Sequence, residues 1–315
     1  MKFFIKHPDL SAGLLMLALF LVGIGLVIGH TGWLETRAHL ARVGWSQFGI
    51  LLMLSLGNYG LRALRWHLFA RAMGFGTSMA QNTTHFLAGF ALTITPGRVG
   101  ELVRLRWIKR ATGVGMLQSS PMMLGDRAAD LAGVALALLV AAAFGFGGQS
   151  GVYWVAGGAL VLAFLALNPA FLGNILNLGW RSLGRGGRFF ARLRQAVRRL
   201  SVLTEPKTMI SALVLSIFGW LAEAYAFYLL LGWLGADLGF WMAVAIFLFS
   251  MLGGGASGMP GGLGGAEAAM VGLLIIQNVP LETALTATVI IRITTLWFAL
   301  LVGIIVFPIA ERKGR

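Results

Sequence analysis

Charged side chains are rare in this chain, and the first group of them follows a proline–glycine step. Arg98, Glu101 and Arg104 recur every three residues, which places them on one broad face of a helix. A helix that begins near Pro96 also presents free backbone N–H groups, and these groups favour an anion. The pattern predicts a phosphate-binding site. The alternative is a charge-rich helix end that reaches for the aqueous surface.

A second group of charges lies farther along the chain and mixes both signs. Asp126, Arg127 and Asp130 fall within an arc of about 100° on one face of a helix. Two carboxylates beside one arginine either form a structural ion-pair cluster or complete a polar cavity together with Glu101. The sequence alone leaves both interpretations open.

A third group belongs to the C-terminal part of the chain. Arg292 lies inside an apolar stretch, where inserting a charge into a membrane costs about 2.5–3.5 kcal/mol. This arginine therefore needs a partner, and Glu267 is the nearest candidate in that part of the chain. The pair is either structural or part of a binding site. Glu223 is a weaker candidate, either for proton coupling or for a contact between helices.

Other polar residues are assigned to structure rather than to chemistry. Arg62 and Arg65 end an apolar stretch, and we expect their side chains to reach the membrane surface. We expect Thr93 to hydrogen-bond to helix backbone. The chain has five histidines and no cysteine, and its sequence predicts neither a metal site nor a cofactor.

Long apolar helices must position these charges. Hydrophobic residues make up 58% of the chain and charged residues 11%, against about 25% charged in soluble domains. The predicted fold class is an all-α polytopic membrane protein, with about six full spans and two re-entrant broken-helix hairpins in an inverted repeat. The predicted spans are residues 10–30, 45–64, 121–147, 152–170, 208–233 and 282–308.

Proline and glycine interrupt two further apolar stretches, at residues 82–95 and 241–257. Proline removes a backbone donor and glycine weakens a helix, so both stretches should break at membrane depth. A shorter helix, at about 264–277, is expected after the second break. The residues assigned to the two breaks are Pro96, Gly97, Gly100, Pro260, Gly261, Gly262 and Gly264.

Lysine and arginine predict the orientation of the chain. If neither hairpin crosses the membrane, most of these basic residues fall on one side of it, and that side is predicted to be the cytoplasm. Both termini then lie in the cytoplasm, and the two hairpins enter from opposite sides. The net charge of +14 therefore indicates topology and anionic lipid rather than nucleic acid. Residues 181–204 form either an interfacial amphipathic helix or a plain basic loop.

The chain, 1–315, is predicted as one integral membrane domain, with a first helix at 10–30, repeat unit A at 45–147, a connecting helix and basic amphipathic loop at 152–207, and repeat unit B at 208–308.

Three segments carry a family resemblance: TPGRVGELVR at 95–104, GDRAADL at 125–131 and MPGGLGGAEAA at 259–269. In this order they resemble the signatures of the lysylphosphatidylglycerol synthase transmembrane family, which is flippase-like and includes half of the multiple peptide resistance factor. Asp126 replaces a more usual glutamate, and Arg292 matches the arginine of the last helix. The resemblance implies an inverted-repeat bundle with two re-entrant helices and a role in lipid translocation. The soluble synthase domain of some members does not follow here, so we expect no enzymatic activity.

The expected function is to bind and flip an anionic phospholipid or lipid-linked intermediate across the cytoplasmic membrane of a bacterium or archaeon. The expected partners are that lipid, an enzyme of its pathway and a second copy of the chain, but no nucleic acid. Two alternatives are a proton-coupled transporter of a small anion and a non-transporting accessory subunit of a lipid-modifying or glycosyl-transfer pathway. The predicted substrate-binding residues are Arg98, Glu101, Arg104, Asp126, Arg127, Asp130, Glu267 and Arg292.

Overall fold

The structure, a computed structural model, describes residues 43–93, 95, 100–145, 150–183 and 187–312. These residues form helices and no β-strand, as the composition predicts. The helices are α1 (Trp45–Ala72), α2 (Met79–Gly89), α3 (Val103–Thr112), α4 (Met116–Gly145), α5 (Ser150–Leu167), α6 (Pro169–Leu183), α7 (Gly187–Leu203), α8 (Pro206–Trp233), α9 (Phe240–Ala256), α10 (Gly265–Ile276), α11 (Leu281–Arg292) and α12 (Phe298–Arg312). Short 3-10 turns at Phe90–Leu92 and Pro260–Gly262 follow α2 and α9, and a π-helical segment, Ile293–Trp297, joins α11 to α12.

Three of the described helical segments are long and apolar enough to cross a membrane. They are α4, α8 and the continuous stretch Leu281–Arg312, close to the spans predicted at 121–147, 208–233 and 282–308. The predicted span at 45–64 becomes α1, which continues to Ala72 and is too polar to meet the same criterion. The predicted first helix at 10–30 lies outside the described residues.

The span predicted at 152–170 is bent instead of straight. α5 ends at Leu167, and α6 leaves at an angle of 73° to it, so the two together make at most one further span. Asn168 explains the bend, because its side-chain oxygen accepts hydrogen bonds from the backbone N–H groups of Ala170 and Phe171, at 3.0 and 3.1 Å. Pro169 occupies the first position of α6, where proline is favoured because its missing N–H group needs no partner there. The Asn-Pro step thus ends one helix and caps the next.

α4 begins earlier than predicted and contains Pro121. This proline cannot donate to the carbonyl oxygen of Leu117, as a residue four positions later normally does. The hydroxyl of Ser120 donates to that oxygen instead, at 2.8 Å. The carbonyl oxygen of Leu117 therefore keeps a donor while the helix continues through the proline.

The basic stretch at 181–204 contains α7, a helix with one apolar face. That face is buried in the protein through Phe190, Ala196, Leu200 and Leu203, while Arg188 and Arg192 are exposed. Leu203 lies against α4, where a Cβ on Gly125 would meet its Cδ1 at 3.1 Å. The stretch is therefore helical over Gly187–Leu203, as one of the two alternatives predicts, and its apolar face is covered by protein, whereas its position at a membrane surface stays a prediction.

The second break follows α9 as predicted. Gly258, Gly261, Gly262 and Gly264 all have positive φ, between +63° and +81°, a conformation that favours glycine. α10 then starts at Gly265, within a residue of the prediction. This run of left-handed residues separates two short apolar helices.

Candidate functional site

Seven charged side chains of α1, α4 and the start of α3 form one ion-pair cluster in the protein interior. Arg62 and Arg65 come from α1, Glu101 and Arg104 from the turn before α3 and its first residues, and Asp126, Arg127 and Asp130 from α4. Five of the eight predicted site residues meet here. Arg98, Pro96 and Gly97 lie outside the described residues.

Arg62 and Arg65 do not reach the membrane surface, which corrects the expectation from the sequence. Arg65 is fully buried and donates through Nε and Nη2 to Asp126 Oδ1, at 3.1 and 2.6 Å. It also pairs with Asp130 at 2.8 Å and donates to the hydroxyl of Ser216 on α8. Arg62 pairs with Asp130 at 2.5 Å. Asp126 and Asp130 are the ion-pair partners that keep these arginines buried. The sequence did not reveal them as partners, because they lie on α4, far along the chain.

Arg104 is enclosed by aromatic rings. Its guanidinium carbon lies 4.2 Å from the ring centre of Phe86, and 5.8 and 5.6 Å from those of Trp66 and Phe90. A Cβ on Gly89 would collide with this guanidinium, so glycine at that position makes room for it. Arg104 Nη1 lies 3.0 Å from Glu101 Oε2. Cation–π contacts and the carboxylates of Glu101 and, at 3.8 Å, Asp126 thus surround a fully buried arginine.

Glu101 connects the enclosed part of the cluster to its accessible edge. It is 1% exposed, and its Oε2 meets both Arg104 and Arg127. The hydroxyl of Thr93 donates to Oε1 at 3.1 Å, so Thr93 does not serve the backbone as expected. The side chain of Arg127 is 32% exposed, whereas the other six members are at most 10% exposed. Arg127 is therefore the most accessible charged group of this cluster.

The residues that flank the first break are tied to each other. The N–H group of Gly100 donates to Thr95 Oγ1 at 2.7 Å, and Thr95 Oγ1 donates to the carbonyl oxygen of Leu92 at 2.9 Å. A Cβ on Gly100 would approach Cβ and O of Leu92 to 2.6 and 2.8 Å. Glycine at this predicted break residue therefore permits close contact between the two flanks, which holds Glu101 next to Thr93.

The remaining two predicted site residues pair with each other at the second break. Arg292 donates through Nε to Glu267 Oε1 at 2.6 Å and through Nη2 to the carbonyl oxygen of Gly261 at 3.1 Å. The expected partner of Arg292 is thus present. Here the arginine side chain is 5% exposed and the glutamate 23%, and Glu267 Oε2 is buried without a hydrogen-bond partner among the described residues. The more exposed member is the anion in this pair and the cation in the Glu101–Arg127 pair.

Two polar residues of α1 that the sequence did not suggest, Asn58 and Tyr59, connect it to α8 and to the π-helical segment. Asn58 donates to Glu223 Oε1 on α8 at 2.6 Å, and the hydroxyl of Tyr59 donates to the carbonyl oxygen of Thr295 in the π-helical segment at 2.5 Å. Asn58, Arg62 and Arg65 recur at spacings of four and three, so they share one face of α1. That spacing of polar residues is the signal that would have predicted a buried polar face.

Comparison with known proteins agrees with this helical, apolar architecture. A relative from Methanothermobacter thermautotrophicus, described as a UPF0104 membrane protein, is 26% identical to this chain over 91% of both sequences. The profile of the lysylphosphatidylglycerol synthase TM region matches residues 13–303, nearly the whole chain. The protein is therefore a multi-pass membrane protein and belongs to the lysylphosphatidylglycerol synthase transmembrane-region family.

Proposed function

We propose that this protein binds an anionic phospholipid or lipid-linked intermediate and translocates it across the cytoplasmic membrane. The observation that carries the proposal is the ion-pair cluster, in which Arg127 is partly exposed beside a broken helix. Charges inside membrane segments are costly and generally mark a pathway for substrate or ions. A guanidinium is also well suited to phosphate, because it donates two parallel hydrogen bonds. The family name, which refers to a lipid synthase, supports a lipid rather than a soluble anion.

The short helices around the second break support a re-entrant path. α9 has 17 residues and α10 has 12, which correspond to about 25 and 18 Å of helix. A bilayer core is about 30 Å thick, so neither helix crosses it alone. We infer that α9 and α10 form a hairpin that enters and leaves on one side. The stretch around Pro96 would form its counterpart, with units 45–147 and 208–308 as inverted repeats and both termini in the cytoplasm.

The proposed roles of the site residues differ with their exposure. Arg127 would contact the phosphate, with Arg98 on the adjoining break. Arg104 would hold Glu101 in place, since its own guanidinium is fully enclosed. Glu267, whose side chain is 23% exposed, would accept a hydrogen bond from a hydroxyl or amine of the headgroup. The acyl chains would stay in the bilayer while the headgroup passes between the two breaks.

A translocation assay on the purified protein tests this function. The protein is reconstituted into liposomes that contain a fluorescent phosphatidylglycerol, and the fraction quenched from outside reports movement between leaflets. We expect Arg127→Ala and Arg292→Ala to reduce the rate at least tenfold, whereas Arg188→Ala, on the exposed face of α7, leaves it unchanged. Full activity in both site variants would refute the assigned site. No movement by the wild-type protein would instead favour an accessory role in a lipid pathway.

A proton-coupled transporter of a small anion is the second candidate, and one observation favours it. Glu223 is buried in α8 and bonded to Asn58 one turn before Arg62, so its charge is close to the cluster. This candidate predicts uptake of a water-soluble anion that depends on a pH gradient and is lost in Glu223→Gln. The lipid proposal predicts movement of the fluorescent lipid without a gradient. The two assays, run on the same liposomes, separate the candidates.

A further inference from the structure

We propose that Glu101 is a displaceable latch, a carboxylate that occupies the phosphate position on Arg127 until a headgroup arrives. The inference rests on the proposed function and specifies how its site opens. A carboxylate and a phosphodiester both present anionic oxygens to a guanidinium, so one can replace the other at the same donors. Arg127 is the accessible partner in this exchange, and Glu101 is the group that must give way.

The contacts of Glu101 allow it to leave Arg127 without losing all of its partners. Its Oε1 accepts from Thr93 at 3.1 Å, and its Oε2 lies 3.0 Å from Arg104 Nη1. Arg104 cannot follow an incoming ligand, because three aromatic rings enclose it. A small rotation of Glu101 would therefore break the contact with Arg127 and keep the other two. A buried carboxylate that keeps an arginine and a hydroxyl avoids the penalty of an unpaired charge.

The two aspartates of the cluster are poor candidates for the same role. Asp126 and Asp130 are both held by Arg65, which is fully buried and further fixed by Ser216. Asp126 Oδ2 lies 4.0 Å from Arg127, too far for a hydrogen bond. Both aspartates also belong to the long helix α4, so their displacement would require a membrane span to move.

The position of Glu101 in the chain fits displacement better. It lies in the single helical turn 100–102, between the first break and α3. Gly100, directly before it, is held to the other flank of the break by a single hydrogen bond to Thr95. A movement of the turn 100–102 would therefore carry Glu101 with it and leave α4 in place.

Lipid binding to the full-length protein in nanodiscs tests the latch, with phosphatidylglycerol as the probe and phosphatidylcholine as the background lipid. Glu101→Gln keeps the shape of the side chain but weakens its hold on Arg127, so phosphatidylglycerol should bind roughly tenfold tighter, the equivalent of one charge-assisted hydrogen bond. Glu311→Gln is the matched control. It removes the same charge from a glutamate that pairs with Arg106 and Arg110 at the end of α12, and should change affinity less than twofold.

A second variant tests the latch without any change of charge. Thr93→Val removes a partner that Glu101 keeps after it leaves Arg127, so displacement of Glu101 becomes harder and the affinity for phosphatidylglycerol should fall about two- to threefold. Size-exclusion chromatography and circular dichroism show whether Glu101→Gln folds. If it does not fold, Thr93→Val still tests the latch.

The outcomes separate failure of the latch from failure of the proposed function. If Arg127→Ala weakens binding but Glu101→Gln does not strengthen it and Thr93→Val does not weaken it, the latch is wrong and the binding site stands. Equal gains in Glu101→Gln and Glu311→Gln would also overturn the latch, because a general charge effect would explain them. If Arg127→Ala leaves binding of phosphatidylglycerol unchanged, the proposed function itself loses its site.

Discussion

Replacing Arg65 with methionine should be among the most damaging single changes in this protein. The side chain is fully buried and donates two hydrogen bonds to Asp126, one to Ser216, and pairs with Asp130. Methionine fills most of the volume but leaves Asp126 with only the more distant Arg104, at 3.8 Å, and Arg127. Breaking a buried ion pair by removing one partner costs about 3–5 kcal/mol, because the other charge stays buried. We expect that loss in the free energy of unfolding.

Reversible unfolding in mixed detergent micelles, followed by circular dichroism, measures this loss. Arg71→Met is the matched control, because Arg71 lies on the same helix and is exposed, so its replacement should cost less than about 0.5 kcal/mol. In the double variant Arg65→Met/Asp126→Leu, the uncompensated carboxylate is gone, and the loss should be smaller than for Arg65→Met alone. Equal losses in Arg65→Met and Arg71→Met would refute the buried cluster. They would restore the expectation that Arg65 reaches the membrane surface.

Three further variants test individual contacts by the same unfolding measurement. Gly89→Ala should cost about 1–3 kcal/mol, because its Cβ meets the enclosed Arg104, whereas Gly57→Ala, which meets nothing, should be neutral or stabilising. Gly262→Ala should cost about 1–2 kcal/mol, since its φ is +71° and alanine avoids that region. Tyr59→Phe should cost about 0.5–1.5 kcal/mol through loss of the hydrogen bond to the π-helical segment. A neutral result for Gly89→Ala, Gly262→Ala or Tyr59→Phe would contradict, respectively, the enclosure of Arg104, the positive φ of Gly262 and the hydrogen bond of Tyr59.

Two features of the second break could be predicted from its own stretch of sequence. A lone arginine in an apolar helix requires a partner, and this physical need led from Arg292 to Glu267. The glycines after Pro260 predicted a break, because few other residues adopt the left-handed conformations found there. In contrast, an arginine at the end of an apolar stretch has the same sequence pattern whether it is buried or at the surface. Arg65 depends on Asp126, 61 residues later, and only the packing of α1 on α4 brings them together.

The two breaks share one local arrangement but differ in the group that they present. Glu101 and Arg127 are 26 residues apart, Glu267 and Arg292 are 25 apart, and in each pair the glutamate follows a glycine-rich break. An inverted repeat, which stays a prediction, would account for this agreement in spacing. The first pair is joined to five further charges and presents its arginine, whereas the second pair relies on a backbone carbonyl and presents its glutamate. Because phosphate requires a cation and a hydroxyl or amine requires an acceptor, the first break suits the phosphate of a headgroup and the second suits its polar substituent.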